Sequence, residues 1–349
     1  MNAIEAMQAE IEYQVQDLHE PDLLSPLGEP ALFVGSGDSY VAGLATQYFS
    51  CGRAICCYPT DIIKNPLMVK NRNLVIVSIS GNTQANILAA KIAKKHGVNT
   101  VTALTARPSS RLAKSCDQTI ELKYRNTGVI TAGTISFTAS MIKCISLSTQ
   151  LHLPSDLGKT YTNAEKQARQ ALSKIDNKRG KRSSDRSSSS GSGGDDCTTC
   201  YFLLGNGQLH AIAKYGALKF NEVFGTRAVA YPAEEFCHSP LFSVKETDRI
   251  IVLGDNNNND DGHDDDHDNG DDDDNNNYND SSKLSKRLNE EGFSSLSIGF
   301  KSKGIELLLQ AAFFMQLFVL KLAKRNGLTS CHFLLNKKLL KLSSDFIYL

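Results

Sequence analysis

The 349-residue chain has no regular cysteine framework: its nine cysteines are scattered, and no leader-like segment precedes them. Structural disulfides need an oxidising compartment, so this usage predicts a reducing, cytoplasmic setting. Cys197-Thr-Thr-Cys200 lacks a second ligand pair at zinc spacing and reads as the lead-in to a buried strand; no metal is expected. Long apolar runs are also missing. The longest, around Leu307 to Leu322, is broken by Gln310, Gln316 and Lys321, so no membrane span is expected. The nucleotide signatures are incomplete. Gly35-x-Gly37 would need a third small residue at position 40, where Tyr40 stands, and no acidic residue ends the next strand near residue 57. No lysine follows at Walker spacing. NAD and ATP are therefore poor fits, no cofactor is expected, and neither nucleic acid nor a membrane is an expected partner.

The formal net charge of zero hides an asymmetry. Residues 255–280 hold twelve Asp and no Lys or Arg, and residues 177–196 hold five basic and three acidic residues. Outside these tracts 33 basic residues face 23 acidic ones, a balance that suits a small anionic ligand. Both tracts are of low complexity. "NKRGKRSSDRSSSSGSGGDD" predicts a flexible linker, and the Asn/Asp-rich 255–280 a disordered surface insertion. His263 and His267 lie in that insertion without the spacing of a calcium loop.

Between the tracts, strands alternate with helices, which predicts α/β architecture with parallel sheets. An acidic amphipathic helix is expected over 2–19. Strands follow at Ala31–Val34, at "AICCYP", at "NLVIVSIS", at "TVTALTA" and at "QTIEL". Helices are expected from about Tyr40 to Cys51, from Thr83 to His96 and up to about Gln150. The second half repeats this scheme; "LFVGSGDSYVAG" against "YFLLGNGQLHAIA" is a weak internal duplication. The predicted division is a first domain over 1–176, the linker over 177–196, and a second domain over 197–349.

Three polar turns of the first half precede helices: Gly35-Ser36-Gly37-Asp38-Ser39, Ser78-Ile79-Ser80-Gly81-Asn82-Thr83 and Thr131-Ala132-Gly133-Thr134. In a parallel sheet such turns gather at the carboxyl ends of the strands, where ligands bind. A helix start offers unpaired N–H groups and the positive end of the dipole. Ser78, Ser80 and Thr83 add hydroxyls, a chemistry suited to a phosphate monoester; the alternative is ordinary N-capping with nothing bound. The second half supplies proton-handling groups: Glu222 late on a helix, and His238 in a following polar loop. A carboxylate beside a sugar C1–C2 can move a carbon-bound proton, and a histidine can open the ring.

In this order, these motifs resemble the sugar isomerase (SIS) domain family, specifically its double-SIS members. "SISGNT" resembles the S-x-S-G-(E/N/K)-T phosphate loop. "GDSYVAG" is similar to the Gly-Thr-Ser-Tyr-His-Ala-Gly turn of the isomerase half of glucosamine-6-phosphate synthase, and "TAGTISFTAS" to its A-S-T-K-x-F-T segment. "ALKFNE", sixteen residues before the His of "CHSP", resembles A-L-K-x-K-E followed by H-G-P. The resemblance implies two tandem SIS domains, each a flavodoxin-like three-layer α/β/α sandwich. It implies that Ser78, Ser80 and Thr83 bind a sugar phosphate, with Ser39, Gly37, Thr134 and the Ile79 backbone beside them. It implies Glu222 as the C1–C2 base and His238 as the ring-opening group, which in the family can come from the second subunit of a dimer. It also implies a tail lysine over the site, which counting from Gly327 places at Lys338, next to Lys337. The expected activity is aldose–ketose isomerisation of a hexose 6-phosphate or its 2-amino derivative, in a homodimer. Glucosamine-6-phosphate deaminase, phosphoglucose/phosphomannose isomerase and a sugar-phosphate sensor without turnover are the alternatives. The chain departs from the synthase in starting directly at the SIS part, so any ammonia would come from a separate partner. It departs again in placing Asp38 where Thr is usual, which puts a carboxylate beside the phosphate unless Asp38 points away.

Overall fold

The structure, a computed structural model, describes residues 1–18, 26–28, 30–183, 199–255 and 281–348, excepting the side chains of 176–183 and 281. It begins with helix α1 (Ala3–Asp17). Asn2 starts it through a capping box: its side chain accepts from the N–H groups of Ile4 and Glu5, and Glu5 accepts from the Asn2 N–H.

The first sheet contains β1 (Ala31–Val34), β2 (Ala54–Cys57), β3 (Asn73–Val77), β4 (Thr100–Thr105) and β5 (Gln118–Glu121). All pairings are parallel, in the order β2-β1-β3-β4-β5. β1 is wholly buried and β3 nearly so, which is why both are continuous apolar runs. The connecting helices are α2 (Asp38–Phe49), α3 (Pro59–Lys64) and α4 (Gln84–Ala93); α5 (Ile135–Ser148) and α6 (Leu157–Ser183) follow β5. The second sheet, also parallel, has the order β7-β6-β8-β9, from β6 (Tyr201–Leu204), β7 (Ala228–Tyr231), β8 (Arg249–Asp255) and β9 (Ser294–Phe300). Its helices are α7 (Gln208–Phe224), α8 (Ala233–His238), α9 (Ser281–Glu290) and α10 (Gly304–Arg325), followed by α11 (His332–Leu335) and α12 (Lys337–Tyr348).

Several expectations are corrected. α6 continues to Ser183, into the tract read as a linker from 177, and 184–196 lie outside the described residues. The predicted insertion, with His263 and His267, also lies outside them beyond Asp255, and so does Cys197. The polar loop expected after β7 is the short helix α8, and α3 and α6 had no predicted counterpart. α10 is long and apolar enough to cross a membrane, contrary to the expectation that its polar residues break the run, but 83% of its apolar window is buried inside the protein. Its polar groups are satisfied within the fold: Gln310 donates to Gln167 at 2.9 Å, Gln316 to the Thr138 hydroxyl at 3.0 Å, and Lys321 pairs with Glu165 at 2.8 Å.

One buried apolar cluster runs from Met7 and Ile11 of α1 through Phe33, Phe137 and Tyr215 to Phe314 and Phe318 of α10. The two sheets therefore share a core. α7 packs on α2, which brings a helix of the second sheet to the carboxyl ends of the first.

Candidate active site

The Ser78–Thr83 turn is built by its neighbours. Ser78 N–H continues the β3–β4 ladder by donating to the Leu104 carbonyl at 2.9 Å. The Ile79 carbonyl accepts from the Thr105 hydroxyl at 3.2 Å and the Ala106 N–H at 3.3 Å. Gly81 turns the chain at φ +63°, and a Cβ there would collide with Ser110. The left-handed backbone and the close approach both require glycine. The Ser78 and Ser80 hydroxyls accept from the N–H groups of Gly81 and Asn82 at 3.2 and 3.3 Å. Thr83 is the N-cap residue of α4 but makes no side-chain cap hydrogen bond. Ordinary capping therefore does not account for its hydroxyl.

This turn opens into a cavity of about 640 Å³, inside the roughly 300–1,000 Å³ range of small-molecule sites. Ser39, Ser78, Ile79, Ser80, Thr83 and Glu222 all line it, so the structure brings together residues from both sheets. Gly37, at φ +56°, turns the chain between the lining residues Ser36 and Asp38. Thr134 is different. It is fully buried, its hydroxyl donates to Glu10 at 3.4 Å, and its neighbours Thr131, Gly133 and Ser136 line the cavity in its stead.

Asp38 and Glu222 are joined by a residue to which no role was assigned. Lys219, fully buried, donates to Asp38 Oδ2 at 2.8 Å and to Glu222 Oε2 at 2.6 Å. The i, i+3 spacing on α7 puts Lys219 and Glu222 on one face. Lys219 reaches Asp38 because α7 crosses α2. The two carboxylates hold the Lys219 proton firmly and raise its pKa, against the opposing effect of burial. Asp38 is pushed up to about 6, first by burial and then by the Glu222 charge, with Lys219 opposing both. The Asp38 carboxylate approaches Gly133 so closely that a Cβ there would lie 2.5 Å from its oxygen. Tyr215 braces the same point: its hydroxyl donates to the Gly133 carbonyl at 2.7 Å, and its ring stacks on Phe137 at 3.9 Å. The end of α7 is fixed by Asn221, whose amide exchanges two hydrogen bonds with the Ala228 backbone.

His238 and Lys338 do not join this constellation within one chain. His238 ends α8 with a 70% exposed side chain, 3.9 Å from Glu234, and is not among the residues lining the cavity. Lys338 lies on exposed α12; that helix reaches the cavity through Tyr348 instead. Sequence reasoning missed Arg107, an exposed cation on the cavity wall two residues past β4. Its position at the carboxyl end of a parallel strand was the available signal. Among the described residues, all eight cysteines are free thiols, and no group of three or more His, Cys, Asp or Glu is placed to hold a metal.

The family model of the SIS domain matches residues 30–147, which contain the Ser78–Thr83 turn. The chain is also similar to glutamine–fructose-6-phosphate aminotransferase [isomerizing] of Clostridium tetani, 25% identical over 226 residues, 63% of this chain and 36% of that protein. The Buchnera aphidicola protein of the same name is 28% identical over 244 residues, 64% of this chain and 37% of that one. The chain thus spans little more than a third of these curated relatives. Among solved structures, glucosamine-6-phosphate deaminase from Thermotoga maritima superposes with a TM-score of 0.63 at 18% identity, over 94% of each chain. Tagatose-6-phosphate ketose/aldose isomerase from Escherichia coli does so with a TM-score of 0.63 at 16% identity, over 93% of each. These likenesses extend past the SIS match to both sheets and establish a shared fold.

Proposed function

We propose that the chain is a sugar-phosphate isomerase acting on a hexose 6-phosphate or its 2-amino derivative. The observation that carries this reading is the presence of Glu222 in the same cavity as the Ser78–Thr83 turn. The phosphate sits on Ser78, Ser80 and Thr83 at the start of α4, with Ser39 beside it and Arg107 adding positive charge. The sugar then extends toward Glu222, whose carboxylate takes the proton from C2 and returns it at C1 through an enediol, or an enolamine for the amino sugar. Lys219 holds this carboxylate in place and balances the two anions of the wall. In a homodimer, His238 of a second copy assists ring opening and Lys338 of the tail lies over the site. The second sheet is a second SIS domain. This is supported by its parallel pairing and by a strand-to-helix turn at Gly205–Leu209 with the backbone of Gly35–Ser39.

Deuterium wash-in by NMR tests the reading. The protein is incubated in D2O with fructose 6-phosphate, glucosamine 6-phosphate or mannose 6-phosphate, each with and without ammonium. Deuterium appears at C1 or C2 of one sugar and disappears in Glu222→Gln, which keeps phosphate binding. Ammonium dependence separates deamination from isomerisation. A second reading, a sensor without turnover, draws on the separation of His238 from Glu222 within one chain. It is favoured if sugar phosphates bind and none exchanges.

A further inference from the structure

Helix α1 lies outside the SIS match, and no motif assigns it a role. Yet its Glu10 is 6% exposed and accepts four hydrogen bonds from one loop. Oε1 accepts from the Thr127 N–H at 3.2 Å and the Thr127 hydroxyl at 3.0 Å. Oε2 accepts from the Thr131 hydroxyl at 2.9 Å and the Thr134 hydroxyl at 3.4 Å. A carboxylate buried this deeply is tolerated only with such a complement of donors.

The rest of α1 grips the same loop. The Arg125 N–H and Nε both donate to Asp17 at 2.8 Å, Nη2 donates to Gln16 at 2.8 Å, and the guanidinium covers the Tyr13 ring at 4.5 Å. Gln14 donates to Gln316 at 2.6 Å, and Gln316 in turn donates to the Thr134 carbonyl at 3.3 Å. Residues 122–134 contain no regular secondary structure, and such a stretch carries a large conformational entropy when unsupported. This loop is one wall of the 640 Å³ cavity, through Tyr124, Asn126 and the run from Gly128 to Thr131, and Glu10 itself reaches the same wall.

We propose that Glu10 is a positioning residue that fixes the cavity wall facing the sugar, so that α1 completes a site whose phosphate seat lies within the SIS match. This rests on the sugar-phosphate reading above. The seat at Ser78–Thr83 is held separately, by Thr105, Ala106 and Ser110. Loss of the Glu10 carboxylate therefore loosens the sugar wall and leaves the phosphate seat intact.

The test compares two affinities on the full chain by 31P NMR titration: inorganic phosphate, and the sugar phosphate that exchanges deuterium or, without exchange, glucosamine 6-phosphate. Glu10→Ala weakens sugar-phosphate binding about ten-fold or more while inorganic phosphate stays within about two-fold, a selective loss of about 1.4 kcal/mol. Glu10→Gln, which keeps the Oε1 acceptor and can donate to the threonine hydroxyls, recovers most of the loss. Thr131→Val, which removes one donor, shows a smaller change in the same direction and reports even if Glu10→Ala does not fold. The proposal is overturned if both ligands weaken together, or if neither affinity changes. If the wild-type chain binds neither ligand, the phosphate seat is wrong and both readings fall; if it binds inorganic phosphate alone, only the sugar wall is wrong.

Discussion

The first turn of each sheet follows one backbone plan with different side chains. In Gly35-Ser36-Gly37-Asp38-Ser39 the third residue has φ +56° and ψ −131°; in Gly205-Asn206-Gly207-Gln208-Leu209 it has φ +52° and ψ −127°. A Cβ on Gly35 or Gly205 would lie 2.7 Å from backbone atoms of the residue four positions on, so both turns exclude a side chain for the same reason. The cavities beyond them differ. At the first sheet the walls are hydroxyls, Arg107 and the Asp38–Lys219–Glu222 constellation. At the second, a cavity of about 790 Å³ is walled by Leu209, Val252, Leu253 and Leu307, with Glu234, Asp255 and Lys303 as its charged groups. Carboxylates line both cavities, so the hydroxyls separate them: Ser302 at the second, against Ser39, Ser78, Ser80, Thr83, Thr131 and Ser136 at the first. The two matching turns offer two helix starts, and the hydroxyls around the first are what suit it to the anion seat proposed above. The second sheet contributes through α7, which carries Lys219 and Glu222 across to its partner.

The largest effect that sharpens this division is catalytic. Glu222→Gln removes only the proton transfer, so exchange falls about 10²- to 10⁴-fold while phosphate affinity holds. An unchanged exchange rate would remove α7 from the chemistry altogether.

Next comes the bridge between the sheets. Lys219→Met leaves Asp38 and Glu222 facing each other without a cation, and lowers stability in urea unfolding by about 3–5 kcal/mol. Adding Asp38→Asn returns part of that loss, because one of the two anions is then gone. A neutral outcome for Lys219→Met would mean the bridge does not couple the two sheets.

The paired glycines give a direct contrast. Gly37→Ala and Gly207→Ala each place a Cβ at positive φ and each cost about 1–3 kcal/mol. Only the Gly37 substitution weakens inorganic-phosphate binding. Equal losses of phosphate affinity in both would break the comparison.

The last effect is a pH trend. Asp38 rises from its ordinary 3.8 to about 6 in the folded protein, through burial, so the folded state holds its proton more tightly than the unfolded chain. The resulting stability is fully present below pH 3.8 and is lost as pH rises through about 6. Thermal unfolding of wild type and Asp38→Asn across pH 4–7 shows this decline in the wild type and a flatter profile in the variant. Parallel profiles would deny Asp38 its buried proton.

Much of the site was legible because it is local. Ser78-Ile79-Ser80-Gly81-Asn82-Thr83 is one contiguous turn between a β-branched run and an amphipathic helix. Period and turn chemistry place it without knowledge of the rest of the chain. Thr134 shows the limit of local reading: a threonine before a helix looks like a ligand, and only the fold shows a distant carboxylate, Glu10, accepting from it. Asp38 looked unfavourable beside a phosphate, because its cation lies 181 residues away in sequence.

The sequence by itself determined the alternation of strands and helices, the hydroxyl-rich turn and the glycines that fold it, since each depends on neighbouring residues and backbone sterics. Only the tertiary structure decided which groups share the cavity. It placed Lys219 between two carboxylates, Glu10 beneath the 124–134 loop, and Arg107 on the cavity wall, while leaving His238 outside. Ion pairing and buried hydrogen bonding depend on distance in space, and no periodicity along the chain encodes how α7 crosses α2.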